Sequence, residues 1–210
     1  MIERVKTVGQ WLSLYLAIVS FSIIVVINST FIYKIFIRQS HLNKIVGLNQ
    51  SELMSDYNNL LDYFNYPWIN KVKMILPSSY NGMQHYHDVK QLVQFNYGCF
   101  LILGFIAIMF ICQLTKQKEL WKLVRPFQMA ITVPFLSVFL LFFNFDHYFI
   151  LFHELVFRNN DWIFNPKLDP IILALPENFF MICFLMVFCL IEMFFLVGIY
   201  FGKREIKRSK

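Results

Sequence analysis

The segments MQHYHDVKQL and LFHELVFRNNDW place three of the five histidines in this sequence close to acidic residues. In the first segment His85 and Asp88 are three residues apart, a spacing that makes two side chains neighbours on the surface of a helix. His85 and His87 are two apart and point to different faces, so this pair does not predict a shared metal ion. A histidine beside a carboxylate is typical of proton transfer. His85 with Asp88 is therefore the first candidate site.

The second segment contains His153, which lies seven residues after Asp146 and therefore on the same stripe of a helix. The letters HELVF begin like the helix of a zinc protease, but Phe157 stands where the second histidine is required. A zinc site assembled from both segments has no ligand spacing to support it. We therefore expect no metal, and His153 is a second candidate for proton transfer.

The elements that carry these histidines are expected to be membrane helices. Hydrophobic residues make up 58% of the 210 residues and only 15% are charged, which is too apolar for a soluble domain. Four runs almost free of charge approach the roughly 20 residues that a membrane-spanning helix needs. The sequence thus predicts an all-α membrane protein, a four-helix bundle forming a single integral membrane domain. The predicted spans are 9–33, 93–114, 126–145 and 179–201.

The distribution of basic residues predicts the orientation of these spans. Lysine and arginine are concentrated in the connection 116–125 and in the tail 203–210, and such flanks face the cytoplasm. Both termini are then cytoplasmic, and the segments 34–90 and 146–176 lie at the extracytoplasmic face. The net charge of +6 is explained by these flanks, so we expect membrane lipid as a partner and no nucleic acid.

Both outer segments contain helical patterns. From Leu53 to Phe64 apolar residues recur at helical spacing, and Pro67 is expected to stop that helix. Asn81 with Gln84 resembles a helix-opening box, so a second helix is expected to start there and continue into the second span. This places His85 on exposed first turns. The second outer segment is expected to continue the helix of the third span, which together with the first gives an extracytoplasmic helical cap.

Other ionisable residues have simpler interpretations. His41, His87 and His147 are read as interfacial side chains, and Glu192 as a hydrogen-bonded structural acid within the last span. The four cysteines all fall inside predicted spans, where no acyl acceptor is expected. The sequence contains no phosphate loop, no nucleophile turn and no haem motif. The residues alone therefore predict an outer pocket with histidines, but no particular reaction.

The motifs HYHDVKQL, FHELVFRNNDWIFNP and LDPIILALPENFF together resemble the bacterial lipoprotein intramolecular transacylase family (Lit), a group of small four-span membrane proteins. The matching elements are His85, Asp88, Val89, Phe152, His153, Trp162, Phe164, Pro176 and Glu177. Tyr86 and Phe180 depart from the Met and Trp that are more common in the family pattern. The likeness covers most of the chain.

This resemblance implies a specific reaction at the bacterial plasma membrane. The sn-2 acyl chain of a diacylglyceryl lipoprotein moves to the α-amine of that lipoprotein's own N-terminal cysteine, which leaves the lyso form. Diacylated lipoproteins are then the substrate, no cofactor is implied, and no obligate protein partner is predicted. Because the acceptor amine and the ester belong to one molecule, an enzyme that holds them together needs no nucleophile of its own.

Within this reaction we expect His85, oriented by Asp88, to take the proton of the amine and return it to the departing glycerol oxygen. His153 is expected to stabilise the oxyanion, helped by a backbone amide of the turn 158–162. The roles of the two histidines can be exchanged, since no spacing decides between them. Orienting or substrate-binding roles are expected for Asp88, Arg158, Asp161 and Trp162.

Two other function classes remain open at this point. A non-catalytic membrane binding or scaffold protein also fits four spans with an outer cap, and it would tolerate the loss of both histidines. A metal-dependent membrane hydrolase fits as well, and it would lose activity in the presence of a chelator.

Overall fold

The computed structural model of the protein describes the backbone of residues 2–208 and the side chains of residues 6–208. Within that part of the chain nine α-helices and a short 3-10 helix, but no strand, are present. The α-helices are α1 (Ile2–Ile27), α2 (Thr30–Ser40), α3 (Leu42–Val46), α4 (Gln50–Asn65), α5 (Tyr80–Lys116), α6 (Val124–Ala130), α7 (Thr132–Phe157), α8 (Ile171–Ala174) and α9 (Glu177–Arg208). The 3-10 helix covers Leu120–Leu123, directly before α6.

Four helical stretches among the described residues are long and apolar enough to cross a membrane, which confirms the predicted all-α four-span fold. They are Lys6–Ile27, Tyr80–Lys116, Leu120–Phe157 and Glu177–Arg208. The first ends at Ile27, before the predicted limit at residue 33, because the chain leaves the helix at Asn28 and Ser29. Short polar side chains compete with helical hydrogen bonds, and a run without charge does not reveal such a break.

Helix α4 forms where apolar spacing in the first outer segment predicts it. Its first turn is closed by Asn49 and Glu52: the Glu52 amide donates to Asn49 Oδ1 at 3.0 Å, and the Asn49 amide donates to Glu52 Oε2 at 2.7 Å. This capping box satisfies two amides that have no partner within the helix. The helix buries its apolar face, including Leu53 and Leu60, and ends at Asn65, two residues before the predicted stop.

Helix α5, which carries His85, begins at Tyr80 and continues into a span, as predicted. Ser79, rather than the predicted box starting at Asn81, closes its first turn, because Ser79 Oγ accepts a hydrogen bond from the Gly82 amide at 3.0 Å. The Ser79 amide in turn donates to Oδ1 of buried Asp169 at 2.7 Å. A negative charge at a helix N-terminus is favourable, so Asp169 stabilises the start of α5.

Helix α7, which carries His153, continues beyond the predicted third span into the second outer segment, as expected. Asn144 interrupts it with non-helical angles, φ −159° and ψ 65°. Helical structure resumes after Asn144 and ends at Phe157. The residues around His153 therefore form their own helical segment.

The chain divides into two compact units. Unit 1 consists of Met1–Val26, Asn96–Phe143 and Phe184–Lys210. Its core is formed by aliphatic and aromatic side chains, in which the ring of Phe127 lies 4.9 Å from that of Phe195. A Cβ added at Gly198 would overlap the Phe127 ring, so the helix backbone approaches this ring closely.

Unit 2 consists of Ile27–Phe95 and Asn144–Cys183, and it contains both candidate histidines. Tyr33 and Tyr57 stack with ring centroids 4.2 Å apart, and the Tyr33 hydroxyl donates to the Ala174 carbonyl at 3.0 Å. Burial raises the pKa of the Tyr57 hydroxyl, with smaller contributions from neighbouring groups. Tyr57 therefore remains a neutral packing side chain.

Residues 66–76, here called the clasped loop, connect α4 to α5 without regular structure and are held at both ends by buried charges. At the first end the Lys90 ammonium donates to the backbone carbonyls of Tyr66, at 3.0 Å, and of Ile69. The same ammonium lies 4.4 Å from the centre of the Tyr63 ring. These contacts place the buried cation among acceptors that offset its desolvation.

At the other end of the clasped loop the carboxylate of Asp56 binds two consecutive backbone amides. Ile75 N donates to Oδ1 at 2.8 Å and Leu76 N donates to Oδ2 at 2.9 Å. Asp56 is only 1% exposed, so its charge is stabilised by these two donors rather than by water. Opposite charges from α4 and α5 thus fix the two ends of one loop.

Candidate functional site

His85 of α5 and His153 of α7 converge within unit 2. The centroids of their rings are 5.8 Å apart, and the planes are inclined by 37°. His85 is 8% exposed and His153 is 9% exposed, whereas the sequence placed His85 on exposed turns. Packing against aromatic side chains accounts for this burial. The sequence could not predict it, because it does not show which face of α5 is covered by other parts of the chain. The two residues flagged for proton transfer are therefore neighbours.

Aromatic side chains surround the two imidazoles. Phe157 lies 4.8 Å from the ring of His85, centre to centre, and Phe164 lies 5.5 Å from it. Trp162 lies 4.9 Å from the ring of His153, inclined by 34°. Apolar surroundings disfavour a charged imidazolium more than a neutral imidazole. Both rings are thus placed where a neutral base is the less costly form.

The ring of His153 is fixed by a backbone hydrogen bond. Its Nδ1 lies 2.7 Å from the carbonyl oxygen of Phe149, one turn earlier on α7. A carbonyl only accepts, so Nδ1 carries the hydrogen and, in the neutral ring, Nε2 carries the lone pair. Asp146, which the sequence placed on the same stripe, lies beside Glu177 instead. The available nitrogen of His153 is therefore a proton acceptor.

His85 has a different environment. Its Nδ1 is buried and has no hydrogen-bond partner within residues 6–208. Asp88, expected to orient this ring, accepts instead from Asn159 Nδ2 at 2.8 Å and from Gln84 Nε2 at 3.5 Å. A buried polar atom without a partner carries a desolvation cost, which a hydrogen bond from a bound molecule removes. Asp88 links α5 to the turn after α7.

That turn consists of residues 158–162 and follows the end of α7 at Phe157. Arg158 adopts a left-handed conformation, φ 51°, and its side chain is exposed. Asn159 organises the rest: its Oδ1 accepts from the Asp161 amide at 3.2 Å, and its backbone carbonyl accepts from Trp162 Nε1 at 2.8 Å. The Asp161 amide, one of those expected to hold an oxyanion, is thus already engaged.

Asn159 is the site residue that the sequence did not single out. Asparagine often closes turns by bonding to backbone two residues ahead, and the Asn159 to Asp161 contact has this form. Asn159 and Asn160, which follow α7, therefore indicate a turn, but they do not predict the contact with Asp88. That contact joins residues 71 positions apart in the sequence, and no local pattern predicts it.

The structure also locates the remaining histidines. His87 is exposed on α5 and its Nε2 lies 2.9 Å from Gln91 Nε2. His147 is exposed beside Tyr148, and His41 is exposed between α2 and α3. Within residues 6–208, none of these three side chains contacts the ring of His85 or of His153. Within the part of the chain that the structure describes, no group of three or more His, Cys, Asp and Glu side chains is arranged to hold a metal ion.

Comparison with known proteins adds an independent line of evidence. The model of the family described as lipoprotein intramolecular transacylase Lit matches residues 8–180. The membrane integral Lit of Bacillus cereus, solved in meso, is 25% identical with a TM-score of 0.92, covering 99% of this chain and 97% of that chain. The fold also matches that protein with the mutation H85R, in its own numbering, at 24% identity and a TM-score of 0.84, covering 99% of this chain and 93% of that one. No curated protein matches.

Proposed function

The chain belongs to the lipoprotein intramolecular transacylase family, and we propose that it moves the sn-2 acyl chain of a diacylglyceryl lipoprotein to the α-amine of the lipoprotein's N-terminal cysteine. Membership in this family confirms the resemblance seen in the sequence and identifies the protein as a membrane-integral acyltransferase. The observation that supports histidine catalysis is the convergence of His85 and His153, with ring centroids 5.8 Å apart.

Proton transfer is the first requirement of this reaction. An α-amine has an unperturbed pKa of about 7.7 to 8.0, so much of it is protonated and not nucleophilic near neutral pH. The neutral fraction of the amine attacks the ester, and a neutral imidazole, with an unperturbed pKa of about 6.5, can accept the proton that the amine nitrogen loses as it bonds to the carbonyl carbon. The acyl transfer therefore needs a histidine with a free nitrogen lone pair close to the reacting atoms.

We assign this role to His153, exchanging the roles expected from the sequence. The hydrogen bond from its Nδ1 to Phe149 fixes the tautomer and leaves Nε2 as the acceptor. In the first step the amine nitrogen bonds to the ester carbonyl carbon, and His153 Nε2 takes the proton. In the second step the bond from this carbon to the sn-2 oxygen breaks, and the same proton passes to that oxygen.

His85 is assigned the second role, contact with the ester oxygen as it becomes negative. Its buried Nδ1 has no partner within residues 6–208, so a hydrogen bond to the ester oxygen would replace none that the protein already makes. A donor fixed in an apolar site stabilises a developing oxyanion more than water does. This role requires the hydrogen on the nitrogen that faces the substrate.

The balance of the reaction requires no nucleophilic side chain from the protein. One ester and one amine give one amide and one free 2-hydroxyl, and neither water nor an energy source is consumed. Amine and ester belong to the same substrate molecule, so holding them in contact can contribute about 7 to 11 kcal/mol. The protein mainly has to orient its substrate and move one proton.

We further propose a location in the bacterial plasma membrane, with both termini in the cytoplasm and the histidine pair at the extracytoplasmic face. The support is the concentration of basic residues in 116–125 and 203–210. A lipid-anchored substrate outside the cell would then reach the site from the outer leaflet. Cysteine labelling with a membrane-impermeant reagent, at single sites introduced in the clasped loop and in the tail, tests this orientation.

The proposed reaction is tested by expressing the chain in a host that makes diacylated lipoproteins. Mass spectrometry of lipoprotein N-termini should show rearrangement without a change in mass, with an amide-linked chain on the cysteine and one chain left on glycerol. The variants His85→Ala and His153→Ala should abolish this product while the protein still inserts. His87→Ala, in which an exposed imidazole two residues from His85 is removed, is the matched control.

Each alternative function gives a different result in this experiment. Release of free fatty acid from the lipoprotein, blocked by a chelator, would identify a metal-dependent hydrolase. Full product from both His85→Ala and His153→Ala would remove the histidine mechanism. No rearranged product from the unmodified chain would contradict the proposed reaction itself.

A further inference from the structure

One residue outside the histidine pair contacts both α5 and the turn that follows α7. Asn159 Nδ2 donates to Asp88 Oδ2 at 2.8 Å, and Asp88 lies one helical turn after His85 on α5. The backbone carbonyl of Asn159 accepts a hydrogen bond from Trp162 Nε1 at 2.8 Å. The Trp162 ring packs 4.9 Å from the ring of His153, centre to centre. Asn159 thus contacts a neighbour of each histidine.

We propose that Asn159 is a positioning residue that holds the two imidazoles at their working separation, through Asp88 on one side and Trp162 on the other. This inference rests on the proposed function, because the separation matters only if both rings act on one substrate. Displacing a reacting group by about 1 Å can cost about 100-fold in rate. A half-buried side chain that makes no contact with substrate can therefore control turnover.

The chemistry of this position requires an amide. Toward Asp88 the side chain must donate, because an ionised carboxylate only accepts. Toward the Asp161 amide it must accept, as Oδ1 does at 3.2 Å. Asparagine supplies both groups, whereas aspartate supplies only the acceptor and would face Asp88 with a second negative charge. Alanine supplies neither.

The positioning role of Asn159 is tested by exchanging the side chains of Asp88 and Asn159, first one at a time and then together. Asn159→Asp alone should lower kcat for lipoprotein rearrangement by about 100-fold with little change in KM, since the rings separate while the substrate-binding surface is kept. Asp88→Asn alone should have a smaller effect, because its amide oxygen still accepts from Asn159. In Asp88→Asn with Asn159→Asp, the amide now on α5 donates to the carboxylate now in the turn, and kcat should recover at least tenfold over Asn159→Asp. Asn160→Asp, which adds the same charge at an exposed neighbour, is the control.

A second measurement does not depend on the reaction. Diethyl pyrocarbonate modifies accessible imidazoles, and peptide mass spectrometry gives the rate for each histidine. In Asn159→Asp the modification of His85 and His153 should speed up several-fold, while exposed His87 should react at an unchanged rate. The reciprocal exchange should return both buried histidines to the slow rate. General unfolding would instead be seen as a loss of the thermal transition.

The outcomes separate the two proposals. Activity and labelling rates equal to wild type in Asn159→Asp would overturn the positioning role, as would a reciprocal exchange no better than Asn159→Asp by either measurement. If the wild-type chain produces no rearranged lipoprotein but the labelling rates follow the exchange, Asn159 is upheld as the residue that holds the rings and the proposed reaction fails.

Discussion

The two compact units bury different kinds of side chain. Among the described residues of unit 1, the buried polar side chains are the hydroxyls of Ser13, Ser20 and Ser22. Ser22 donates to the carbonyl of Ile18 at 2.8 Å, a local bond within its own helix. Unit 2 instead buries ionisable groups, which are Asp56, His85, Lys90, His153 and Asp169. The two units therefore differ in the kind of polar side chain that they bury: hydroxyl groups in unit 1 and ionisable groups in unit 2.

This difference indicates what each unit contributes. Aliphatic and aromatic packing stabilises without the desolvation cost of a buried charge, whereas each buried ionisable group requires dedicated partners. Asp56, Lys90 and Asp169 have such partners and hold loops and helix starts in place. Within residues 6–208, Nδ1 of His85 has no such partner. Unit 1 is therefore expected to respond to mutation mainly in stability, and the histidine pair of unit 2 mainly in activity.

The largest effect on activity is expected from the substitution His85→Leu in unit 2. Loss of the ring should lower the rate of lipoprotein rearrangement by about 100-fold to 10,000-fold, the usual contribution of a positioned proton-transfer or donor group. Stability should rise by about 1 to 3 kcal/mol, because an unsatisfied buried nitrogen is replaced by an apolar side chain of suitable size. Thermal unfolding in detergent, measured beside lipoprotein mass spectrometry, checks both. A lower midpoint would show that His85 is mainly structural.

The substitution Phe127→Ala in unit 1 is expected to lower stability and to leave activity unchanged. This ring packs against Phe195 and close to the backbone at Gly198, so its removal leaves a cavity. The expected loss of stability is about 3 kcal/mol, with turnover per folded molecule retained. Midpoints of thermal unfolding and activity normalised to folded protein provide the test. A selective loss of turnover with an unchanged midpoint would contradict the assignment of roles to the two units.

A smaller effect is expected from Asp56→Asn in unit 2. The amide oxygen replaces one of the two acceptors, while the amide nitrogen faces a backbone N–H of Ile75 or Leu76 that then lacks a partner. The loss of a charge-assisted hydrogen bond should cost about 1.5 to 3 kcal/mol. Hydrogen exchange should show faster exchange at the amides of Ile75 and Leu76. Asp62→Asn, at an exposed carboxylate on the same helix, should leave these rates unchanged.

The smallest effects come from two glycines of α5 that lie in different units. A Cβ at Gly82 would overlap Asp169 Oδ1, whereas at Gly98 nothing lies within 4 Å. Gly82→Ala should therefore destabilise by about 1 to 3 kcal/mol, and Gly98→Ala should stabilise by up to about 1 kcal/mol through helix propensity. Thermal midpoints of the two variants give the comparison. Equal midpoints would show that Asp169 moves aside freely.

The four spans and the two histidines could be predicted from sequence for a definite reason. Lipid excludes unpaired backbone groups, so each span must be one long apolar helix, and long apolar runs are visible in any sequence. His85 and His153 were selected because each has an acidic residue at helical spacing, because both are expected at one membrane face, and because both match the family motif. The end of α4 was predicted approximately, since the helix stops at Asn65 and not directly before Pro67. Local signals therefore located elements to within a few residues.

The arrangement of the site could not be predicted in the same way. The burial of His85 depends on Phe157 and Phe164, which come from distant parts of the chain. The Asp88 carboxylate was within reach of His85 by helical spacing, but a longer-range donor, Asn159, forms the bond instead. The choice among competing partners depends on tertiary packing, which a one-dimensional pattern does not contain.

Because its two ends are secured from α4 and α5 by Asp56 and Lys90, we expect the clasped loop to accept an insertion in its middle. The side chains of Asn70, Lys71 and Lys73 are exposed and lie between the two attachment points. An epitope or a fluorophore inserted after Lys71 would leave both attachments in place. This loop therefore offers a position for a label on the same unit as the histidine pair, without a change to any residue of the candidate site.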